Sequence, residues 1–168
     1  MSKNDIWKWS AAKTANAVKN KIISATDSID SSLKRLEDVN PSVNAVVVSL
    51  KKEALNTAQQ IDKKIKNNEK VGSLAGVPIT IKENVDVKSQ STTNGMKIFK
   101  DIIAPENSPV VQNLIDEDAI IIGRTNTPEI SYRYEVDSHA VSSYPRTNQI
   151  FEFNWVVQES GNNLPTYS

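Results

Sequence analysis

The chain has 168 residues, of which 20 are basic and 20 acidic, so its formal charge is zero, and none is cysteine. Disulfides, thiolate metal sites and a cysteine nucleophile are thereby excluded, and the balanced charge argues against nucleic acid or an anionic membrane as the main partner. A hydrophobic fraction of 38% and a charged fraction of 24% predict a soluble globular chain.

The opening MSKNDIWKWSAAKTANAVKN lacks the apolar core of a secretory signal. No run approaches the roughly eighteen apolar residues of a membrane span. A cytoplasmic location, without membrane contact, is therefore expected. Trp7 and Trp9 fit either core anchors of the first helix or a small exposed patch. Ala11, Ala15, Val18 and Ile22 recur with the spacing of an amphipathic helix. Ser24-Ala25-Thr26-Asp27 reads as a capping box that opens a second helix, with Ala25, Ile29, Leu33 and Leu36 on its buried face. Asn40-Pro41 is expected to stop it. Asn44 to Leu50 is short and β-branched, which predicts a strand. A third helix is predicted from Lys52 to Asn67, burying Ala54, Ala58, Ile61 and Ile65, with Lys63 and Lys64 on a solvated face.

Gly72 to Gly76 forms a turn region before Val77-Pro78-Ile79-Thr80-Ile81-Lys82. In that run period-2 alternation buries Val77, Ile79 and Ile81 and turns Thr80 and Lys82 to the other face. Two readings of Lys82 stay open from the strand alone. It is a solvent-facing gatekeeper on a strand edge, or a partly desolvated amine able to accept a proton. Residues 89–95 form a polar loop rich in turn formers. Ser108-Pro109 starts another helix with a serine cap and proline in the first turn, and Val110, Val111 and Leu114 form its core face. Ala119 to Gly123 predicts an interior strand covered on both faces. Helices alternating with short apolar strands make an α/β layered domain. From Tyr144 onward periodicity fades, so residues 1–143 are assigned to the domain and 144–168 to an irregular tail.

LAGVPITIKENVDV, TTNG and AIIIGRTNTPEI, in this order and spacing, resemble the core of the amidase signature family of serine hydrolases, which cut carboxamide C–N bonds. EDVNPSVNAVV and ALNTAQQID extend the resemblance, which runs from about residue 10 to about residue 140. It implies a three-layer fold with a mixed sheet flanked by helices, of which this chain holds an incomplete part. It also implies a Ser–cis-Ser–Lys mechanism. One serine attacks the amide carbonyl, a second relays the proton to a lysine base, and backbone amides of a glycine-rich loop bind the oxyanion. A serine needs such a positioned base before it is a useful nucleophile. Lys82 matches the family lysine, and Asn84 beside it is expected to help fix it. Thr125, Asn126 and Glu129 are expected to build the wall behind the site. The implied substrate is a small-molecule amide, and no cofactor or metal is expected.

The likeness stops short of the GGSSGG-type loop. RTNQIFEFNW still resembles the family's approach to it, but Val156-Val157-Gln158-Glu159-Ser160-Gly161-Asn162-Asn163 follows, and the chain ends at Ser168. Ser160 is the sole candidate for the relay serine, and no nucleophile follows it in a comparable loop. The five glycines, about 3% of the chain against a usual figure of about 7%, reflect that missing loop. Ser89 and Asp118 stand where the family usually has glycine, Met96 where it has serine, and Glu83 where aspartate is common. The expectation is therefore the N-terminal part of an amidase, truncated before its nucleophile and inactive alone. The alternative is a non-catalytic binding or regulatory module, self-associating or hidden by a partner at exposed sheet edges. A third reading uses Ser91, Thr92 or Thr93 as nucleophile beside Lys82. His139 and Asp137 lie too close in sequence to be read as a dyad.

Overall fold

The computed structural model describes residues 3–131. A 3₁₀ turn at Lys3–Lys8 leads into helices α1 (Ala11–Lys19) and α2 (Ala25–Val43), strand β1 (Val46–Ser49) and helix α3 (Lys51–Lys66). Strand β2 (Pro78–Lys82), helix α4 (Pro109–Asp116) and strand β3 (Ile120–Thr125) follow, with short 3₁₀ turns at Lys97–Phe99 and Glu129–Ser131. The sheet has the order β1-β3-β2; β1 runs antiparallel and β2 parallel to β3. This is the predicted α/β arrangement, a mixed sheet flanked by helices. The expected boundary at residues 143 and 144, the tail, His139 and Asp137 lie outside the described residues.

The central strand β3 shows why the layers form. Ile120 and Ile122 pack with Ile29, Leu33 and Leu36 of α2 and Ala54, Ala58 and Ile61 of α3. Ile121 turns the other way, toward the cluster that holds Val77, Ile79 and Ile81 with Val111 of α4. Period-2 geometry thus feeds two cores from one strand, as its apolar run predicts. Burying each large aliphatic side chain contributes roughly 1.5–3 kcal/mol.

The start of α2 is held twice. The Ser24 hydroxyl accepts from the Asp27 amide at 2.9 Å, and the Ser24 amide donates to the Asp27 carboxylate at 3.1 Å, which is the capping box read from sequence. Asp62 on α3 adds a tie that the sequence conceals, accepting from the Ala25 amide at 2.6 Å, the Thr26 amide at 3.1 Å and the Thr26 hydroxyl at 2.6 Å. A carboxylate facing the first-turn amides satisfies donors that have no partner within the helix.

Several boundaries differ from expectation. Asn40-Pro41 does not end α2, which runs on to Val43. Proline in a last turn removes one donor without preventing the turn from closing. The actual stop is Asn44, left-handed at φ 47°, whose amide donates to the Asn40 carbonyl at 2.7 Å. The Asn40 side chain then grips both backbone groups of Val46, launching β1. Ile22 lies beyond α1 and is 72% exposed, because the chain turns at Lys21 (φ 58°). The β1 strand is shorter than the predicted 44–50 stretch. Ile6, not either tryptophan, is the buried anchor near the start; Trp7 stacks under Arg35 at 4.6 Å and Trp9 under Lys13 at 4.2 Å.

Lys64 is more than a solvated residue. It pairs with Asp118 at 2.9 Å, and the other oxygen of Asp118 accepts from the Gly72 amide at 2.6 Å. The two positions where the family usually has glycine, Ser89 and Asp118, are indeed left-handed at φ 64° and 60°. The turns persist without glycine, and at Asp118 the side-chain bonds to Lys64 and Gly72 offset the strain.

Asp62→Ala should lower stability by about 1–3 kcal/mol, since two first-turn amides lose their acceptor at once. Urea unfolding followed by circular dichroism reads this directly, with Asp62→Asn expected to fall between the two.

Candidate active site

The carboxyl ends of the parallel strands β2 and β3 lie side by side, with Lys82 in register with Thr125. In α/β sheets this is where loops converge and ligands bind. Three loops meet there: residues 83–87 after β2, the 91–95 loop, and 126–131 after β3. These are the three sequence blocks that carried the resemblance.

Arg124 ties the first two from beneath. Its side chain is fully buried, an unusual position for a guanidinium. It donates to the carbonyls of Ser91 at 3.1 Å, Lys82 at 3.3 Å and Val85 at 2.9 Å. Burial pulls its pKa down from the ordinary value, opposed by attraction to the carboxylates of Glu83 and Asp86. Its Nε is buried without a partner, so three carbonyls and two nearby carboxylates must together offset the desolvation. Glu83 is also buried and accepts from the Thr93 hydroxyl at 2.5 Å. The same hydroxyl oxygen accepts from the Gly95 amide at 3.2 Å. Gly95 is left-handed at φ 76°, and a Cβ there would meet the Thr127 carbonyl oxygen at 2.7 Å. Glycine therefore lets the 91–95 loop lie against the 126–131 loop.

Above this base stands Lys82. Its ammonium is exposed and donates to the Ser131 hydroxyl at 3.3 Å. The partly desolvated state weighed from sequence is not what the structure holds. Alternation buries Ile79 and Ile81 and sends the last residue of the strand outward, where the described residues meet it on the Ser131 side. Asn84 donates to the same Ser131 oxygen at 3.1 Å, beside Lys82 as expected. Thr125 contributes its carbonyl to the Glu83 amide at 3.0 Å. Asn126 accepts from the Thr127 amide at 2.9 Å and pins the turn after β3. Glu129 falls in the Glu129–Ser131 turn through its backbone. Ser160 lies outside the described residues.

Two of the three alternative nucleophiles have their hydroxyls engaged elsewhere, and the third, Ser91, is tied through its backbone. Thr93 faces Glu83, Thr92 donates to Asp86 at 2.6 Å, and the Ser91 segment bridges to Ile103. Sequence reasoning missed Arg124 and Ser131, and considered Thr93 only as an alternative nucleophile and not as the donor to Glu83. An arginine inside the apolar AIIIGRT run was the available signal for the first. Ser131 carried none, because it is one of many serines in polar segments. Among the described residues no cluster of His, Cys, Asp and Glu could hold a metal ion, and no helix is long and apolar enough to cross a membrane.

Thr93→Val keeps the volume but strips buried Glu83 of its donor, and should cost about 1–3 kcal/mol or more. Urea midpoints for Thr93→Val and Thr93→Ser decide this, with serine expected to retain most of the stability.

Comparison with known proteins supports this geometry. The amidase family model matches residues 27–148. The chain is 48% identical over 136 residues to an indoleacetamide hydrolase of Bradyrhizobium diazoefficiens, covering 81% of this chain and 26% of that protein. It is 34% identical over 139 residues to an acylamidase of Rhodococcus erythropolis, covering 83% of this chain and 29% of that one. Among solved structures, a bacterial aryl acylamidase of the amidase signature enzymes superposes with a TM-score of 0.73 at 31% identity, covering 78% of this chain and 27% of its own. The chain thus spans little more than a quarter of the length of the curated relatives it matches. Matched across Lys82 and all three loops that surround it, the chain belongs to the amidase family.

Proposed function

We propose that this chain carries the lysine-bearing part of an amide-hydrolysing centre, with Lys82 as the general base. The observation that supports it most is the convergence of the three motif blocks on Lys82 at the carboxyl end of the parallel strands. In the chemistry the family implies, a serine Oγ attacks the carboxamide carbon. Its proton passes through a relay serine to the lysine, and the C–N bond breaks as a proton reaches the departing amine. Water then hydrolyses the acyl-enzyme. Within these 168 residues Ser160 is the one candidate for the relay, and Gln158-Glu159-Ser160-Gly161-Asn162 does not provide the glycine-flanked serine pair of that mechanism. The 168 residues by themselves are accordingly inactive, and they supply the base and its supporting loops. Small carboxamides with an aromatic acyl or amine part are the first substrates to consider, by likeness to the indoleacetamide hydrolase and aryl acylamidase relatives.

Two experiments test this reading. The 168-residue chain, offered indoleacetamide, an anilide and a simple aliphatic amide, and probed with a fluorophosphonate, should show neither turnover nor serine labelling. Residues 10–131 joined to the remaining three quarters of the Bradyrhizobium relative should hydrolyse indoleacetamide. Lys82→Ala in that chimera should lower kcat roughly 10²–10⁴-fold, the usual contribution of a general base. A folded chimera indifferent to Lys82→Ala would overturn the assignment of the base.

A further inference from the structure

Ser131 is the meeting point of three polar side chains. Its Oγ lies 3.3 Å from Lys82 Nζ, 3.1 Å from Asn84 Nδ2 and 3.2 Å from Thr127 Oγ1. Thr127 is wholly buried, and its hydroxyl donates to the Pro128 carbonyl at 3.2 Å. A hydroxyl has one proton to give. With that of Thr127 committed to Pro128, the Ser131 hydroxyl is the donor in the Thr127 contact. Both lone pairs of Ser131 are then left for the two N–H donors of Lys82 and Asn84.

The backbone is bent to bring this about. Ile130 and Ser131 are both left-handed, at φ 52° and 58°. For a β-branched isoleucine this region is strained. Two backbone bonds hold it: the Ile130 amide to the Asn94 carbonyl and the Ser131 amide to the Pro128 carbonyl, both at 2.9 Å. The double bend turns the chain back over the end of β2 and sets the serine beside the lysine.

We propose that Ser131 is a positioning residue for Lys82, its hydroxyl oriented by Thr127 so that it only accepts from the lysine nitrogen. This rests on the assignment of Lys82 as base and adds to it the group that aims it. An acceptor that cannot donate serves both states of the base. The ammonium gives it one of three protons. The neutral amine gives it one of two, and its lone pair then points away from Ser131 toward an incoming hydroxyl. The same polarity keeps Ser131 from being the nucleophile, because its proton faces Thr127 and not the amine.

The test reads the lysine itself in the 168-residue chain, so it does not depend on turnover. Lys82 Nζ should give an observable cross-peak in side-chain ¹H–¹⁵N spectra, and its acylation by a small N-hydroxysuccinimide ester should be slow relative to Lys52. Ser131→Gly removes the hydroxyl while favouring the left-handed backbone, so the fold should be retained or stabilised. The Lys82 cross-peak should broaden or vanish, and its relative acylation rate should rise roughly two- to tenfold, the effect of losing one ordinary, solvent-exposed hydrogen bond. Ser131→Ala should do the same to Lys82 with some loss of stability. A Lys82 signal and acylation rate unchanged in a folded Ser131→Gly protein would overturn the proposal. Failure of the chimera to hydrolyse amides would leave this result standing, so the two readings fail separately.

Discussion

The guanidinium of Arg124, withdrawn from water on the central strand, dictates what may surround it. A cation in that position must find acceptors on several sides, and it finds them in the backbone of two loops rather than in one carboxylate. Carbonyls at Ser91, Lys82 and Val85 are therefore held at fixed distances from β3 and from one another. Glu83 and Asp86 supply opposite charge nearby without a direct bond carrying the whole load. Removing such a group leaves several orphaned carbonyls in a dry interior, which is why buried charges of this kind resist replacement.

From that constraint the local architecture at Lys82 follows in layers. Arg124 holds the loop after β2, Glu83 in that loop holds Thr93, and Thr93 holds the turn at Gly95. Gly95 in turn lies against Thr127 and Pro128. Asn94, beside it, accepts from Ile130. Lys82 stands exposed above this floor, its nitrogen donating to Ser131.

Much of this is legible in the sequence. The alternation in Val77, Ile79 and Ile81, the capping box at Ser24 and the serine-proline start at Ser108 are local patterns, and local patterns survive folding intact. The need for left-handed backbone at Ser89 and Asp118 is also readable, from the glycine each replaces. What escapes are features set by partners distant in sequence. Asp62 caps a helix that begins 37 residues earlier, and nothing in its own neighbourhood announces this. Pro41 reads as a stop because the rule concerns a helix interior, whereas here it sits near an end where one missing donor matters little. Lys82 could be read as partly buried by its strand and is exposed, since strand ends escape the alternation that governs their middles. Ser131 is invisible because its role depends on two strained residues that no propensity favours.

The bonds that Lys82 and Arg124 make through their side chains join residues 33 to 49 apart, and β2 meets β3 only after the chain has passed through α4. Helices α2 and α3, by contrast, close their backbone hydrogen bonds within their own segments. Closing long loops costs entropy that only the final contacts return, so non-local pairings tend to be the last formed. Helical content and the integrity of the lysine platform are thus separate quantities. A preparation with a full helical signal has shown that its local segments are ordered, while the placement of Lys82 has to be established by a probe that reports on the far ends of the sheet.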